Sequence, residues 1–275
     1  MVTALKDALH LPGVVPAKLG TAVAAPLPPC DDGCSCGGLG WLKYDVPFGH
    51  PLFGQICPCP DCDVALQLLW EELSWANRWA PKMNGYTFEA LLLPRDNEQE
   101  RATLEAARRA AQAFAAHPRG FLIFAGGVGV AKTHLLASIG LVQPHGCLWL
   151  YTSAEHLWQA LGCVAMTEQE KQRQQGEWSA RLVKVRNLPL LLLDELGGEA
   201  ERDTPAVQSK RMDVLGWRCD HELPTAIATN ALPVTQLYGS TPTYDSERLV
   251  DRLTDKGFSV VVEMPGMRSF RQVAR

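Results

Sequence analysis

Short apolar segments alternate with helical segments over the larger, C-terminal part of the chain. The apolar segments lie at 121–125, 147–152, 188–193, 225–229 and 258–264. Such alternation predicts an α/β fold with a mostly parallel, five-stranded sheet covered by helices. In that architecture, ligands bind at the carboxyl ends of the strands.

Two helices are predicted before the first of these segments. In 64–80, helical spacing connects Leu66, Leu69, Trp70, Leu73 and Trp79. The second helix is expected to begin after Asn97, which can cap it together with Glu100 three residues later. Its apolar stripe consists of Leu104, Ala107, Ala111 and Phe114.

These patterns divide the chain into four parts. Residues 1–29 are rich in Pro and Ala and are predicted to be a flexible leader, and 30–63 form a cysteine-rich module. Residues 64–85 are predicted to be a linker helix, and 86–275 the α/β domain.

Composition and charge exclude several classes of protein. Of 275 residues, 47% are hydrophobic and 20% are charged, which is ordinary for a globular protein. The net charge of −4 argues against a protein that coats nucleic acid over its whole surface, although it permits a local basic patch. The first residues lack the pattern of a secretory signal, and the longest apolar run is too short to span a bilayer. We therefore expect a cytoplasmic protein without a membrane partner.

The segment FLIFAGGVGVAKTHL at 121–135 carries the most specific chemistry. An apolar strand enters a glycine-rich turn that leads directly to Lys132 and Thr133, the arrangement of a phosphate-binding loop. Backbone N–H groups of such a loop converge on phosphate oxygens, while the lysine reaches the β- and γ-phosphates and the threonine hydroxyl binds Mg²⁺. The pattern expects glycine immediately before the lysine, where this chain has Ala131, so nucleotide binding is expected to be weak.

Polar residues follow two further apolar segments. Asp194 and Glu195 come after four consecutive leucines, and Asn230 comes after the strand predicted at 225–229. At a strand end beside the loop, Asp194 would hold Mg²⁺ through water and Glu195 would activate the attacking water. An amide at the position of Asn230 can orient that water.

These motifs, in this order, resemble the AAA+ ATPases of the DnaC/DnaI helicase-loader and IstB transposition-helper group. The resemblance covers 86–271 and is carried by the segments 87–89, 126–135, 190–199, 214–230 and 266–271. It implies that Lys132 and Thr133 belong to Walker A, that Asp194 and Glu195 form Walker B, and that Asn230 is sensor 1. The residues expected to contact ATP are Gly126, Gly127, Val128, Gly129, Val130, Ala131, Lys132, Thr133, His134, Asp194 and Arg271.

The resemblance also implies two functional arginines. Arg252 looks like the arginine finger that acts on a neighbouring subunit, and Arg271 is similar to sensor 2. Serine usually precedes the finger arginine where this chain has Asp251, so Arg248 remains a competing candidate. A finger supplied in trans makes self-association on ATP binding a requirement.

Six of the nine cysteines are concentrated in the N-terminal module. In a reducing compartment, such clustering favours a metal over disulfides, and two thiolate clusters suit a structural zinc site. Four ligands are expected among Cys30, Cys34, Cys36, Cys57, Cys59 and Cys62. The resemblance favours Cys34, Cys36, Cys57 and Cys59, while an iron–sulfur cluster or unligated core thiols are the alternatives.

The expected function is that of an ATP-dependent loader for a replicative helicase, docked through the zinc module. Helix-forming residues at 168–186 include Lys171, Arg173, Arg181, Lys184 and Arg186, and with Lys210 and Arg211 they predict weak binding of single-stranded DNA. One alternative is an IstB-type helper ATPase that recruits a transposase. Another is an adaptor that binds ATP and hydrolyses it weakly because of Ala131.

Overall fold

The structure is a computed structural model, which describes residues 2–4, 41–44, 56–58, 73, 85–143, 149–163, 167–198, 204–238 and 244–270. Contacts divide the chain into two units, Met1–Leu73 and Ser74–Arg275. The division falls inside 64–85, the predicted linker helix. Nearly all of that segment lies outside the described residues.

The first unit contains a small antiparallel sheet. Its strands are β1 (Val2–Ala4), β2 (Trp41–Tyr44) and β3 (Ile56–Pro58), with β2 in the centre. Thr3 lies opposite Lys43, and Leu42 lies opposite Cys57. The predicted leader thus contributes strand β1, which the sequence did not indicate because three residues are too few to show a periodicity.

The second unit contains seven α-helices and five strands among its described residues. In chain order these are α1 (Glu98–Ala116), β4 (Phe121–Gly126), α2 (Lys132–Leu141), β5 (Trp149–Ser153), α3 (Ala154–Ala160), α4 (Glu168–Arg186), β6 (Leu190–Leu196), α5 (Pro205–Arg211), α6 (Trp217–Asp220), β7 (Thr225–Thr229), α7 (Tyr244–Leu253) and β8 (Ser259–Met264). A π-helical turn, Met212–Gly216, connects α5 to α6.

The five strands of the second unit form one parallel sheet in the order β5-β6-β7-β4-β8. Each of the five apolar segments of the sequence forms one of these strands, so the predicted strands are confirmed. Every residue of β4 is buried, as is every residue of β7. Strands that are buried on both faces appear in the sequence as continuous apolar runs. These runs allowed the strand positions to be predicted.

Helix α1 confirms the predicted cap and apolar stripe, with one correction. The Asn97 side chain accepts a hydrogen bond from the backbone N–H of Glu100 at 3.2 Å, and Leu104, Ala107, Ala111 and Phe114 are buried. The Glu100 carboxylate was expected to complete the cap. It binds Arg268 instead.

A buried arginine braces the amino ends of the strands. Arg218 in α6 is fully buried and donates to the carbonyl oxygens of Val185, Arg186, Leu188 and Pro224 and to the Thr225 hydroxyl. Burial lowers its pKa to about 9, so the guanidinium stays charged at neutral pH. Its bonds connect the end of α4 to the starts of β6 and β7.

Helix α4 is mostly polar, and its residues 172–177 are exposed or half-exposed. Its last turn has Val185 fully buried, and the Trp178 ring packs against Gly162 after α3. Within the described ranges, no helix combines the length and the apolar character needed to cross a membrane.

Candidate functional site

The carboxyl ends of β4, β6 and β7 meet at one edge of the sheet. β4 lies directly beside β7, and β7 lies beside β6. The loop after β4 leads into α2 at Lys132, β6 carries Asp194 and Glu195, and Asn230 follows β7. The structure therefore brings together polar residues that lie up to about a hundred positions apart in the sequence.

Lys132 is held at the centre of this edge. Its ammonium group donates to the carbonyl oxygens of Gly126 at 2.7 Å and Gly127 at 2.6 Å, and to Oδ1 of Asn230 at 2.9 Å. Burial lowers the pKa of Lys132, while the charges of Asp194 and Glu195 act in the opposite direction. A cation in this position is suited to an anionic ligand.

The Asp194 carboxylate is held by three donors. Oδ2 accepts from the Thr133 hydroxyl at 2.7 Å and from the Tyr151 hydroxyl at 2.5 Å, and Oδ1 accepts from the backbone N–H of Glu195 at 2.9 Å. Burial, followed by the charge of Asp194, raises the pKa of Tyr151 well above its ordinary value of 10.0. The phenol is therefore a permanent donor to this carboxylate.

A β-bulge at the end of β6 places the two acids differently. Leu193 pairs with Ile227 and Leu196 with Thr229, so Asp194 and Glu195 together lie opposite a single residue of β7. Asp194 is buried, whereas Glu195 is exposed and adopts a left-handed backbone with φ 58°. The bulge thus turns one carboxylate inward and presents the next one at the surface of the site.

Ala131, the departure from the phosphate-loop pattern, also has a left-handed backbone, with φ 71° and ψ 14°. A glycine adopts this conformation without strain, whereas a residue with Cβ pays roughly 1–2 kcal/mol for it. The loop thus follows a path that suits glycine, and the alanine is accommodated through local strain.

The segment after β8 packs on the phosphate loop. The backbone N–H of Phe270 donates to the Gly129 carbonyl at 3.0 Å, and a Cβ on Gly129 would lie 2.1 Å from Oγ of Ser269. Arg268 anchors the segment on Glu100 of α1 and on Asp96 just before that helix, and it lowers the pKa of both carboxyl groups. Gly129 is required here both by its φ of 79° and by this close approach.

These elements enclose a cavity of about 410 Å³. Its lining consists of Tyr86, Val128, Gly129, Ala131, Lys132, Thr133, His134, Asp194, Glu195, Asn230 and Phe270. Val130, predicted with the loop, buries its side chain in the hydrophobic core instead.

Two aromatic residues of the lining, Tyr86 and Phe270, were missed by the sequence reasoning. Tyr86 stacks on His134 with ring centroids 5.0 Å apart, and Nε2 of His134 donates to the Thr87 carbonyl at 2.7 Å. Tyr86 directly precedes the segment 87–89 and Phe270 lies within the segment 266–271, so their position at these motifs was the available signal.

The predicted functional arginines lie outside the cavity lining or outside the described residues. Arg252 forms an ion pair with Asp220 at 3.0 Å and donates to the Gly216 carbonyl at 3.3 Å. Arg248 is exposed on the same helix, α7. Arg271 lies just beyond the described residues, so its predicted contact with nucleotide stays a prediction.

The predicted basic surface is only partly retained. Arg173 and Lys184 are exposed, whereas Arg181 pairs with Glu177, and both Arg186 and Lys210 pair with Asp213. Arg211 is 2% exposed, with its guanidinium 4.4 Å from the centre of the Tyr238 ring, so its assignment to a DNA-facing surface was wrong. The structure does not describe the side chain of Lys171.

The zinc prediction concerns residues whose side chains the structure does not describe. Of Cys30, Cys34, Cys36, Cys57, Cys59 and Cys62, Cys57 alone falls within the described backbone, in β3. Elsewhere in the described ranges, no three His, Cys, Asp or Glu side chains are grouped in a way that suits a metal ion. Zinc binding stays a prediction.

Comparison with known proteins gives matches at the level of the fold. No protein-family model matches this chain, and no curated protein matches it. Among solved structures, replication initiator DnaA bound to AMPPCP and single-stranded DNA has a TM-score of 0.50 and 21% identity, covering 68% of this chain and 51% of that chain. AMPPCP-bound DnaA from Aquifex aeolicus has a TM-score of 0.48 and 22% identity, covering 68% and 52%.

The DnaC helicase loader matches with a TM-score of 0.49 and 17% identity, covering 67% of this chain and 99% of that chain. This chain spans about half the length of the two DnaA chains. At these identities the likeness concerns the fold. The described part of the second unit has an α/β fold with a five-stranded parallel sheet, and it shares this fold with the DnaA structure bound to AMPPCP and single-stranded DNA.

Proposed function

We propose that the cavity binds ATP with Mg²⁺ and that the chain hydrolyses it to ADP and phosphate. The observation that carries this proposal is the convergence of Lys132, Thr133, Asp194 and Asn230 at the carboxyl ends of three adjacent strands. A phosphate-reaching ammonium, a hydroxyl and a carboxylate are the groups that a nucleotide site of this fold requires.

The residues present fit both the phosphates and the cation. The loop leads directly into α2, and the N–H groups of the first turn of this helix can bind an anion. Hydroxyl and carboxylate oxygens, such as those of Thr133 and Asp194, are the ligands Mg²⁺ prefers. When bound, Mg²⁺ would neutralise charge on the β- and γ-phosphate oxygens.

The proposed reaction assigns a role to each polar residue of the edge. Glu195 accepts a proton from water, whose oxygen attacks the γ-phosphorus while the bond from that phosphorus to the β–γ bridging oxygen breaks. Asn230 orients the water and is connected to Lys132 by a hydrogen bond. Arg252 of a neighbouring copy stabilises charge on the transferring group, so ATP binding and self-association are linked.

The wider role we propose is loading of a replicative helicase onto single-stranded DNA. It rests on the sequence motifs of the helicase-loader group, and the fold is that of a DnaA structure bound to AMPPCP and single-stranded DNA. In this proposal Arg173 and Lys184 on α4 contribute weak, salt-sensitive contacts to DNA. The N-terminal module, folded around Zn²⁺, docks the helicase, and the protein acts in the cytoplasm.

The first test measures binding and turnover in the purified full chain. ATP and ADP are titrated calorimetrically with Mg²⁺, and phosphate release is followed for the wild type, Lys132→Ala and Glu195→Gln. We expect Lys132→Ala to lose affinity and Glu195→Gln to keep affinity but lose turnover. A wild type without affinity for either nucleotide at millimolar concentration would refute the proposal.

Two experiments test the wider role. Retention on single-stranded DNA should fall between low and high salt, and unchanged retention contradicts the DNA contact. Chelation of the metal should unfold the N-terminal module and leave the second unit largely intact. Unfolding of neither unit would remove zinc from the proposal.

The strained backbone of Ala131 favours one alternative, an adaptor that binds ATP and hydrolyses it weakly. Phosphate release by Ala131→Gly separates this alternative from the ATPase proposal. If the variant becomes much faster than the wild type, the natural chain acts mainly through binding. A transposase that binds the ATP-loaded chain on duplex DNA would favour the IstB-type alternative.

A further inference from the structure

Tyr151 connects a strand outside the nucleotide loop to the carboxylate expected at the cation. It lies on β5, in register with Leu192 of β6, and its hydroxyl reaches Oδ2 of Asp194 at 2.5 Å. The side chain does not line the cavity, whereas Asp194 does. Tyr151 therefore acts on a bound nucleotide through the lining side chains beside it, and Asp194 accepts its hydrogen bond.

The surroundings of this hydrogen bond make it hard to exchange for water. Tyr151 is 4% exposed and Asp194 is 5% exposed. In this hydrogen bond the phenol donates and the carboxylate accepts, so the pair has one arrangement. In water-excluded surroundings such a bond fixes the orientation of the carboxylate strongly.

The two side-chain donors on Oδ2 have different positions with respect to the cation. Thr133 belongs to the phosphate loop, and its oxygen is itself an expected ligand of Mg²⁺. Tyr151 approaches from the neighbouring strand and has no such second role. Its hydrogen bond to Asp194 remains available when the Thr133 oxygen binds a cation.

We propose that Tyr151 is a positioning residue: its hydroxyl fixes the orientation of the Asp194 carboxylate, and this orientation favours binding of the divalent cation. This inference rests on the proposed nucleotide function. Groups that orient a metal ligand from behind commonly contribute about 10- to 100-fold to metal affinity. Because the carboxylate keeps Thr133 and the Glu195 N–H when Tyr151 is altered, we expect the lower end of that range.

The test compares Tyr151→Phe with Thr152→Val, using the full chain and a fluorescent ADP analogue. Thr152 is the next residue of β5, is fully buried, and directs its hydroxyl to the Ser153 carbonyl rather than to Asp194. Each variant therefore loses one buried hydroxyl from the same strand. Affinity for the analogue is measured in EDTA and then as a function of Mg²⁺ concentration.

For Tyr151→Phe we expect affinity in EDTA within about twofold of the wild type and a roughly tenfold higher Mg²⁺ concentration for half-maximal effect. Thr152→Val should match the wild type in both measurements. With Mn²⁺ in place of Mg²⁺, the electron paramagnetic resonance spectrum of the ADP complex should change for Tyr151→Phe and not for Thr152→Val. A purely packing role would leave that spectrum unaltered.

An unchanged Mg²⁺ dependence overturns the inference, as does an equal loss of affinity with and without the cation. If Tyr151→Phe does not fold, Tyr151→Met supplies a flexible apolar side chain without a donor, and the same comparison decides. A wild type that binds no ADP in either condition marks failure of the proposed function itself. If the wild type binds ADP with the same affinity with and without Mg²⁺, the proposed cation site and the role of Tyr151 are both refuted.

Discussion

Arg268 and Glu100, 168 positions apart in the sequence, form a bidentate ion pair that fastens the segment after β8 to helix α1. The guanidinium Nε and a terminal nitrogen both donate to the Glu100 carboxylate, at 2.9 to 3.2 Å, and the Arg268 backbone N–H adds a bond of 3.0 Å. The next residues, Ser269 and Phe270, contact the phosphate loop at Gly129. The ion pair therefore supports one wall of the cavity.

We predict that Glu100→Gln weakens nucleotide binding, because the loosened segment no longer holds Phe270 against the cavity. The variant should also be less sensitive to acid. Arg268 lowers the Glu100 pKa below its ordinary value of 4.5, so the stabilisation is present above pH 4.5 and is lost as the pH falls through the lowered value. Urea unfolding at several acidic pH values measures the difference.

Glu105→Gln is the matched control, since Glu105 lies on the same helix in an exposed pair with Arg101. It should leave nucleotide affinity as in the wild type. If both variants bind nucleotide equally well, the ion pair has no role in the site.

Ala131→Gly should stabilise the chain and strengthen nucleotide binding. Glycine removes the strain of the left-handed backbone but increases the freedom of the unfolded chain, so a net gain of up to about 1 kcal/mol in the free energy of unfolding is expected. Removing Cβ also enlarges a cavity that Ala131 lines. Ala137→Gly, inside α2, is the control and should lose about 1 kcal/mol or more. If Ala131→Gly is no more stable than the wild type, the backbone strain assigned to Ala131 is wrong.

Arg252→Ala should lower turnover by about 10³-fold without changing nucleotide affinity, because its guanidinium lies away from the cavity of its own chain. Mixing it with Glu195→Gln should restore part of the activity if the arginine acts across subunits. Phosphate release from the single variants and from the mixture provides the measurement. Arg248→Ala is the comparison. Loss of turnover in that variant alone would assign the finger to Arg248.

Arg218→Met should cost at least about 3 kcal/mol of unfolding free energy, because several buried carbonyl groups lose their donor at once. The folded fraction should bind nucleotide normally, since Arg218 lies at the amino ends of β6 and β7. Arg119→Met removes an exposed pair with Glu222 and should cost less than about 1 kcal/mol in the same urea titration. If the two variants lose the same unfolding free energy, the buried hydrogen bonds of Arg218 stabilise the fold no more than an exposed ion pair does.

The sequence predicted the five strands and the residues at their carboxyl ends because both signals are local. Four leucines before Asp194, or an apolar strand before Gly126, identify themselves within a few residues. The edge on which these residues meet then follows from the parallel arrangement.

Contacts between distant segments could not be predicted in this way. Nothing near Glu100 indicates that its partner is Arg268, so a capping role was the natural interpretation. Tyr151 resembles any apolar strand residue until the register of β5 with β6 places its hydroxyl at Asp194. The bulge at Glu195 also depends on pairing with β7, which a single strand does not reveal.

The segment after β8 passes directly from the edge of the sheet to the phosphate loop, with no helix or strand in 265–269. A displacement of this segment would be transmitted to the loop through the hydrogen bond from Phe270 to Gly129. A fluorescent dye or affinity handle should therefore be attached elsewhere, for example at Leu92, which is 74% exposed. Conversely, a partner protein that binds the segment after β8 would alter the affinity of the cavity for its ligand.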